Sequence, residues 1–182
     1  MNYSQELSKI KRQVEEDIYR GSEFEWYRNL SSKRKGKVGE LMVGDHFQKM
    51  GLDVHTSKEA RSKKLVDKSI RLSDYDLYIQ NFNIKAEVKT STIWGTTNTF
   101  KFQQIREQDY DIIIFQFIHP DEVKLFYCTK EDARTYIMIE GNGQHGGGDA
   151  EETSWISVTN GKVPAYMKPL NQLILSQNVL QD

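Results

Sequence analysis

Asp76, Glu87 and Lys89 stand at a spacing that can do chemistry on a charged substrate. The stretch from Ser73 to Thr92 has the pattern of two short strands around a turn. Ile84, Ala86 and Val88 alternate with Lys85, Glu87 and Lys89, and Leu77 and Ile79 oppose Asp76 and Tyr78. A turn centred between Asn81 and Phe82 sets Ile79 against Ile84, Leu77 against Ala86 and Asp76 against Glu87. That register places both apolar sets on one side. Directly opposed Cβ atoms lie roughly 5 Å apart, so two carboxylates and an ammonium gather on the other side. Carboxylates this close repel unless a cation lies between them, and oxygen-only ligands favour a hard ion such as Mg²⁺. An ion held by Asp76 and Glu87, with the Val88 carbonyl as a further candidate ligand, polarises a phosphate and acidifies a bound water. Lys89, ~6.5 Å along the strand from Glu87, can orient that water and offset charge on a phosphate oxygen. The competing reading is a solvated strand face of weak salt bridges. Asp74 shares the parity of Asp76 but lies beyond the apolar part of the hairpin, so Asp76 is preferred.

The elements that must position this hairpin follow from periodicity and punctuation. Residues 4 to 19 predict a helix with Leu7, Ile10, Val14 and Ile18 on one stripe and Ser4 as N-cap. Phe24 to Leu30 is a shorter helix or packing segment. A second helix is expected from Lys37 to Met50, ended by Gly51 and carrying Glu40 near its start. Leu52 to Thr56 is the first strand, followed by a basic loop to Arg71. After the hairpin, Phe100 to Gln108 is expected to be helical. Asp111 to Ile118 is an uninterrupted apolar run, a strand buried on both faces, and pairs with Val123 to Cys128 through the turn His119-Pro120-Asp121. Thr129 caps a helix over Glu131 to Ile139. Glu140 to Asp149 is a glycine-rich loop, Trp155 to Val158 a strand, and Leu170 to Leu180 an amphipathic helix. The layout is α/β, with a central mixed sheet flanked by helices, in one domain over residues 1–182: a helical segment 1–35, a core 36–139, and a loop, strand and helix in 140–182.

This order of residues resembles the PD-(D/E)XK nuclease superfamily, which contains many type II restriction endonucleases. Tyr75 stands where that motif often has proline, Asp76 is its aspartate, and Glu87-Val88-Lys89 is its (D/E)XK triplet. Gly36-Lys37-Val38-Gly39-Glu40 fits the family's preceding helix, with Glu40 as the matching glutamate. The likeness spans about residues 36 to 130. It implies a restriction-endonuclease-like core and Mg²⁺-dependent hydrolysis of double-stranded DNA, with Glu40, Asp76, Glu87 and Lys89 catalytic and Asp76 and Glu87 on the metal. A sequence-specific type II restriction enzyme is the first expectation. A structure-specific repair or junction-resolving nuclease is the alternative, as is a nuclease fold that only grips DNA. One site cuts one strand, so a homodimer is expected.

A second triplet, Glu122-Val123-Lys124, is an internal control. Asp111 precedes it by the interval that separates Asp76 from Glu87. Facing Asp111 to Glu122 would place the turn inside Ile112 to Ile118, the least suitable residues for one. This triplet is therefore expected to be a solvated strand start.

The chain has 182 residues, 28% of them charged, and a net charge of −1, so composition alone does not announce a nucleic-acid binder. Positive charge is nonetheless clustered, at Lys33, Arg34, Lys35 and Lys37 and again at Arg61, Lys63 and Lys64, where it can track phosphates or simply face water. Gln103, Gln104 and Arg106 are candidate base contacts, and His145 in the glycine-rich loop is another; a solvated helix and a flexible loop are the plain alternatives. The N-terminus has no apolar signal core, and the single cysteine, Cys128, suits a reducing cytoplasm.

Overall fold

The computed structural model describes residues 3–94, 98–138 and 153–178. The elements in order are α1 (Tyr3–Tyr19), α2 (Glu25–Arg28), α3 (Ser32–Lys49), β1 (Val54–Thr56), α4 (Ser57–Ser62), β2 (Leu77–Ile79), β3 (Ile84–Trp94), β4 (Thr99–Ile105), β5 (Ile112–Ile118), β6 (Val123–Thr129), α5 (Lys130–Tyr136), β7 (Ser154–Thr159), β8 (Lys168–Pro169) and α6 (Leu170–Asn178). The main sheet runs β1-β2-β3-β5-β6-β8, and β4 joins β3 to β7. β3 and β5 are parallel and their other neighbours antiparallel. This is a mixed α/β sheet flanked by helices, as the sequence pattern predicts.

β5 anchors the sheet because every residue from Ile112 to Ile118 is buried. Ile112 and Ile114 point into one apolar layer with Leu77, Ile79, Ile84, Ala86 and Val88, covered by Val43 and Phe47 of α3 and Leu170 and Leu173 of α6. Ile113, Phe115 and Phe117 point into the opposite layer with Tyr75, Tyr78, Phe100 and Phe102. The hairpin register is Leu77 with Ala86 and Ile79 with Ile84, continued by the Asp76 N–H donating to the Ala86 carbonyl at 3.0 Å. The turn is a 3-10 segment, Gln80–Phe82, closed by Asn83 in the left-handed region. The second face of the hairpin is not simply solvated: Tyr75 and Tyr78 are core residues.

Four expectations need correction. Residues 100–108 do not form a helix; Thr99–Ile105 is a strand. Phe100 and Phe102 alternate with Lys101 and Gln103, and the period of two wins over the polar composition. α3 begins at Ser32 rather than Lys37, so its first turns include the cluster Lys33, Arg34 and Lys35, and Glu40 sits well inside the helix. The segment after β1 is not all loop. Thr56 and Glu59 form a capping box that starts α4, a T-x-x-E signature present in the sequence. Ser4 is not an N-cap, because α1 already contains Tyr3. The other boundaries lie near their expected places. α3 ends with the Gly51 N–H donating to Gln48 and the Leu52 N–H to Phe47, Gly51 having the positive φ that this helix ending requires. Thr129 caps α5 with Asp132.

Candidate active site

The hairpin delivers its charged residues to an open cleft of about 520 Å³. Its floor is β3, with Glu87, Lys89 and Thr90; Asp76 and Glu40 lie beside them, Lys35 and Gly36 of α3 form one wall, and Gln103 and Gln104 of β4 another. Glu87 is only 8% exposed. Its Oε1 accepts from Lys89 Nζ at 2.6 Å. Asp76 Oδ2 accepts from the Val88 N–H at 2.8 Å, so the triplet's own backbone orients the aspartate. The Asp76 carboxyl is pushed up to about 7, first by burial and then by the negative charge of Glu87, with which it is also in hydrogen-bonding reach. Glu40 is raised as well, by burial foremost and in part by Asp76, although Lys37 holds it with a 2.7 Å ion pair.

α3 reaches this position because residue 39 is glycine. A Cβ there would collide with Thr90 Oγ1 and lie 3.0 Å from Thr90 Cβ. The helix thus rides directly on β3 one residue before Glu40. Thr90 Oγ1 donates to Gln116 on β5 at 3.0 Å, which ties the contact to the sheet centre. Tyr27 of α2 donates to the Lys35 carbonyl at 2.8 Å and steadies the start of the same helix.

The control triplet behaves as a surface feature. Glu122 and Lys124 also pair, at 2.8 Å, but with side chains 55% and 50% exposed against 10% and 15% for Glu87 and Lys89. Asp111 accepts from the Lys85 N–H instead. Identical spacing therefore gives a buried cluster in one place and a solvated pair in the other.

The candidate DNA contacts divide. Lys35, Gln103 and Gln104 line the cleft, and the Lys35 ammonium is lowered by burial and by nearby Arg28. Lys33 and Arg34 are exposed on the first turn of α3. Arg61 is committed elsewhere, its guanidinium donating to the Ile70 carbonyl. Lys63 Nζ lies 3.4 Å from His55 Nδ1, and Lys64 is exposed with a positive φ; neither lines the cleft. Arg106 opens into a separate cavity with Arg71 and Lys130. His145 and its glycine-rich loop lie outside the described residues. Sequence reasoning did not single out Lys101 and Trp94 at the cleft, where Lys101 Nζ sits 3.7 Å from the Trp94 ring centre; read as a strand, Thr99–Ile105 would have placed Lys101 beside Gln103. Another cavity, about 530 Å³, lies between α3, β6 and α6. Its Asp45 is already paired with Lys49 at 2.7 Å, and the converging carboxylates are not there.

Against known proteins, no family model matches the chain, and no curated protein does. Among solved structures, a bacterial homing endonuclease, I-Ssp6803I, matches with a TM-score of 0.53 at 16% identity, over 83% of this chain and 96% of that one. The chain shares the overall fold of that protein. No helix among the described residues is long and apolar enough to cross a membrane.

The cleft suits a hydrated hard cation better than a fully protein-bound one. Among the described residues no three of His, Cys, Asp and Glu group as a ready metal cage. Asp76 and Glu87 supply two carboxylates, and Mg²⁺ is commonly held by one or two carboxylates while keeping several waters.

Proposed function

We propose that this protein is a Mg²⁺-dependent endonuclease of the PD-(D/E)XK type that hydrolyses phosphodiester bonds in double-stranded DNA at defined sequences. One observation carries the reading: Asp76, Glu87, Lys89 and Glu40, drawn from a hairpin and a helix far apart in sequence, line one cleft of a nuclease fold. In this reading Asp76 and Glu87 hold the metal, with the Val88 carbonyl as a further ligand. Bound there, Mg²⁺ would supply Lewis acidity toward the phosphate and a more acidic water.

The chain's own residues do the rest. The Val88 N–H fixes the Asp76 carboxylate. Lys89, anchored on Glu87 at 2.6 Å, places a positive charge where the phosphate gains negative charge. Glu40, held by Lys37, is placed to accept a proton from water at the cleft, and its raised pKa makes it a better base than a free glutamate. Lys35 on the cleft wall and Lys33 and Arg34 beside it attract the phosphate backbone. Cutting both strands calls for two such sites, which supports a homodimer.

The biological role is either restriction, which the motif resemblance supports, or a homing-type role, which the structural neighbour supports. A neighbouring gene for a DNA methyltransferase favours the former. The enzymatic test is direct. Purified protein with Mg²⁺ converts supercoiled plasmid to nicked and linear forms, chelator stops it, and Glu87→Ala abolishes it without lowering the folded fraction. Wild-type turnover by the folded Glu87→Ala protein refutes the site.

A further inference from the structure

β4 and β7 form a ribbon that, among the described residues, is joined to the main sheet by two residue pairs, Ile93 with Phe100 and Trp94 with Thr99. β7 has no further strand beyond it among the described residues. One side of the ribbon is apolar and buried, with Phe100, Phe102, Ile105, Ile156 and Val158 in the core. The other side is polar. Lys101 stands directly opposite Ser157, and Gln103 has the same parity as Lys101; Ser157 and Gln103 are exposed. This polar side opens onto the cleft that holds Asp76 and Glu87.

The ladder is regular up to Phe102 with Ile156 and resumes at Ile105 with Ser154. Between these pairs β4 has two residues, Gln103 and Gln104, where β7 has one, Trp155. The extra residue is taken up by Gln104 at φ 56°, a left-handed conformation that non-glycine side chains seldom adopt. Such bulges bend a strand and re-aim side chains, often beside active sites. Here both glutamines become exposed in a strand whose flanking residues, Phe102 and Ile105, stay buried. The bulge is thus sited where the ribbon meets the cleft.

We propose that the β4–β7 ribbon is the sequence-reading surface of this nuclease, entering the major groove with Gln103 recognising an adenine and Lys101 and Ser157 supporting it. The inference rests on the nuclease reading above and assigns its specificity. The major groove admits a two-stranded ribbon, and glutamine bonds adenine through N6 and N7 in a bidentate pair. Position follows from the strand. From Lys89 to the end of β3 at Trp94 is about 16 Å of strand, or about five base pairs along DNA, and β4 runs back antiparallel along that stretch, the Lys101 N–H donating to Ser91 Oγ at 2.9 Å and Gln103 lining the same cleft as Lys89. The base read by Gln103 therefore lies within about five base pairs of the cut.

The test is cleavage of a duplex DNA library with a randomised core in Mg²⁺, with sequencing of the cut ends, alongside selection of bound duplexes in Ca²⁺. Wild type is expected to give a defined motif with a required adenine within about five base pairs of the cut. Gln103→Ala should relax that one position by about tenfold while melting like wild type, because the residue is exposed. Gln103→Arg should shift the same position toward guanine, since arginine pairs with guanine O6 and N7; a merely structural role cannot produce this change of letter. A motif that both variants leave unchanged overturns the assignment, as does wild-type cutting without any motif. If wild type neither cuts nor enriches any duplex, the nuclease reading falls and takes this inference with it. If wild type has a motif that Gln103 variants ignore, only the ribbon assignment falls.

Discussion

Asp76 should make the metal-free protein less stable as pH rises, and Asp76→Asn should remove the effect. Its carboxyl moves from an ordinary 3.8 to about 7 in the folded protein. Because the folded-state value lies above the unfolded one, the folded state holds an extra proton between them. The stability this represents is complete below about pH 4 and is lost as pH rises past 7. The difference from 3.8 to about 7 corresponds to about 4 kcal/mol. An amide recovers part of it, since it still accepts from the Val88 N–H but is itself a polar group in a buried place. We expect Asp76→Asn to be about 2 kcal/mol more stable than wild type at pH 8 in chelator, a gain of about 4–8 °C in melting temperature for a chain of this size. At pH 5, where wild type keeps more than half of that stability, the difference should vanish or reverse slightly. Adding Mg²⁺ or Ca²⁺ at pH 8 should raise the melting temperature of wild type and leave Asp76→Asn nearly unmoved, because the cation favours the charged carboxylate. Differential scanning fluorimetry across this grid measures it. A constant offset at both pH values, or a wild type that chelator does not destabilise at pH 8, refutes the reasoning.

Three further outcomes are expected. Lys89→Ala should slow plasmid cleavage by about a hundredfold or more and Lys124→Ala should leave it within about twofold, the buried pair and the exposed pair being otherwise alike; equal losses would contradict the assignment of the cleft. Gly39→Ala should cost about 1–2 kcal/mol, overpacking against Thr90 exceeding the gain in helix propensity, and reduce activity through Glu40, while Gly36→Ala, whose Cβ meets nothing within 4 Å, should gain up to about 1 kcal/mol; chemical denaturation of both variants decides. Lys35→Ala should flatten the salt dependence of duplex binding in Ca²⁺ by about one unit of slope, whereas Lys63→Ala, away from the cleft, should not; a filter-binding salt titration that reverses this order refutes the placement of DNA.

What was legible in the sequence is what depended on short-range periodicity and turn chemistry. The hairpin register followed from two alternating runs that cannot both face the core any other way, and the observed pairing of Leu77 with Ala86 and Ile79 with Ile84 is the one expected. The apolar run of β5 and the Thr129 cap were equally local. Residues 100–108 have a polar composition that suits a helix, but their period is that of a strand. Phe-Lys-Phe-Gln alternates, and a strand also explains why Lys101 N–H can donate to Ser91 Oγ on β3 at 2.9 Å. The early start of α3 was hidden because lysines and a glycine before Val38 carry no apolar stripe; tertiary support from Tyr27 on the Lys35 carbonyl extends the helix there.

The cleft itself shows why local pattern stops short of a site. Glu122-Val123-Lys124 and Glu87-Val88-Lys89 are the same letters, and spacing alone treats them alike. What separates them is long-range. Gly39 lets α3 settle on Thr90, beside which Glu40 is raised by burial first and by the nearby Asp76 in smaller part. The β4 bulge then closes the far wall with Gln103 and Gln104. The bury-and-crowd geometry that raises Asp76 to about 7 is absent from the exposed pair, where Lys124 instead lowers Glu122. A triplet becomes a candidate site when a helix glycine and a strand bulge make it the floor of a cleft. The same two features are what Gly39→Ala and the Gln103 variants perturb, one through the position of Glu40 and the other through the choice of base.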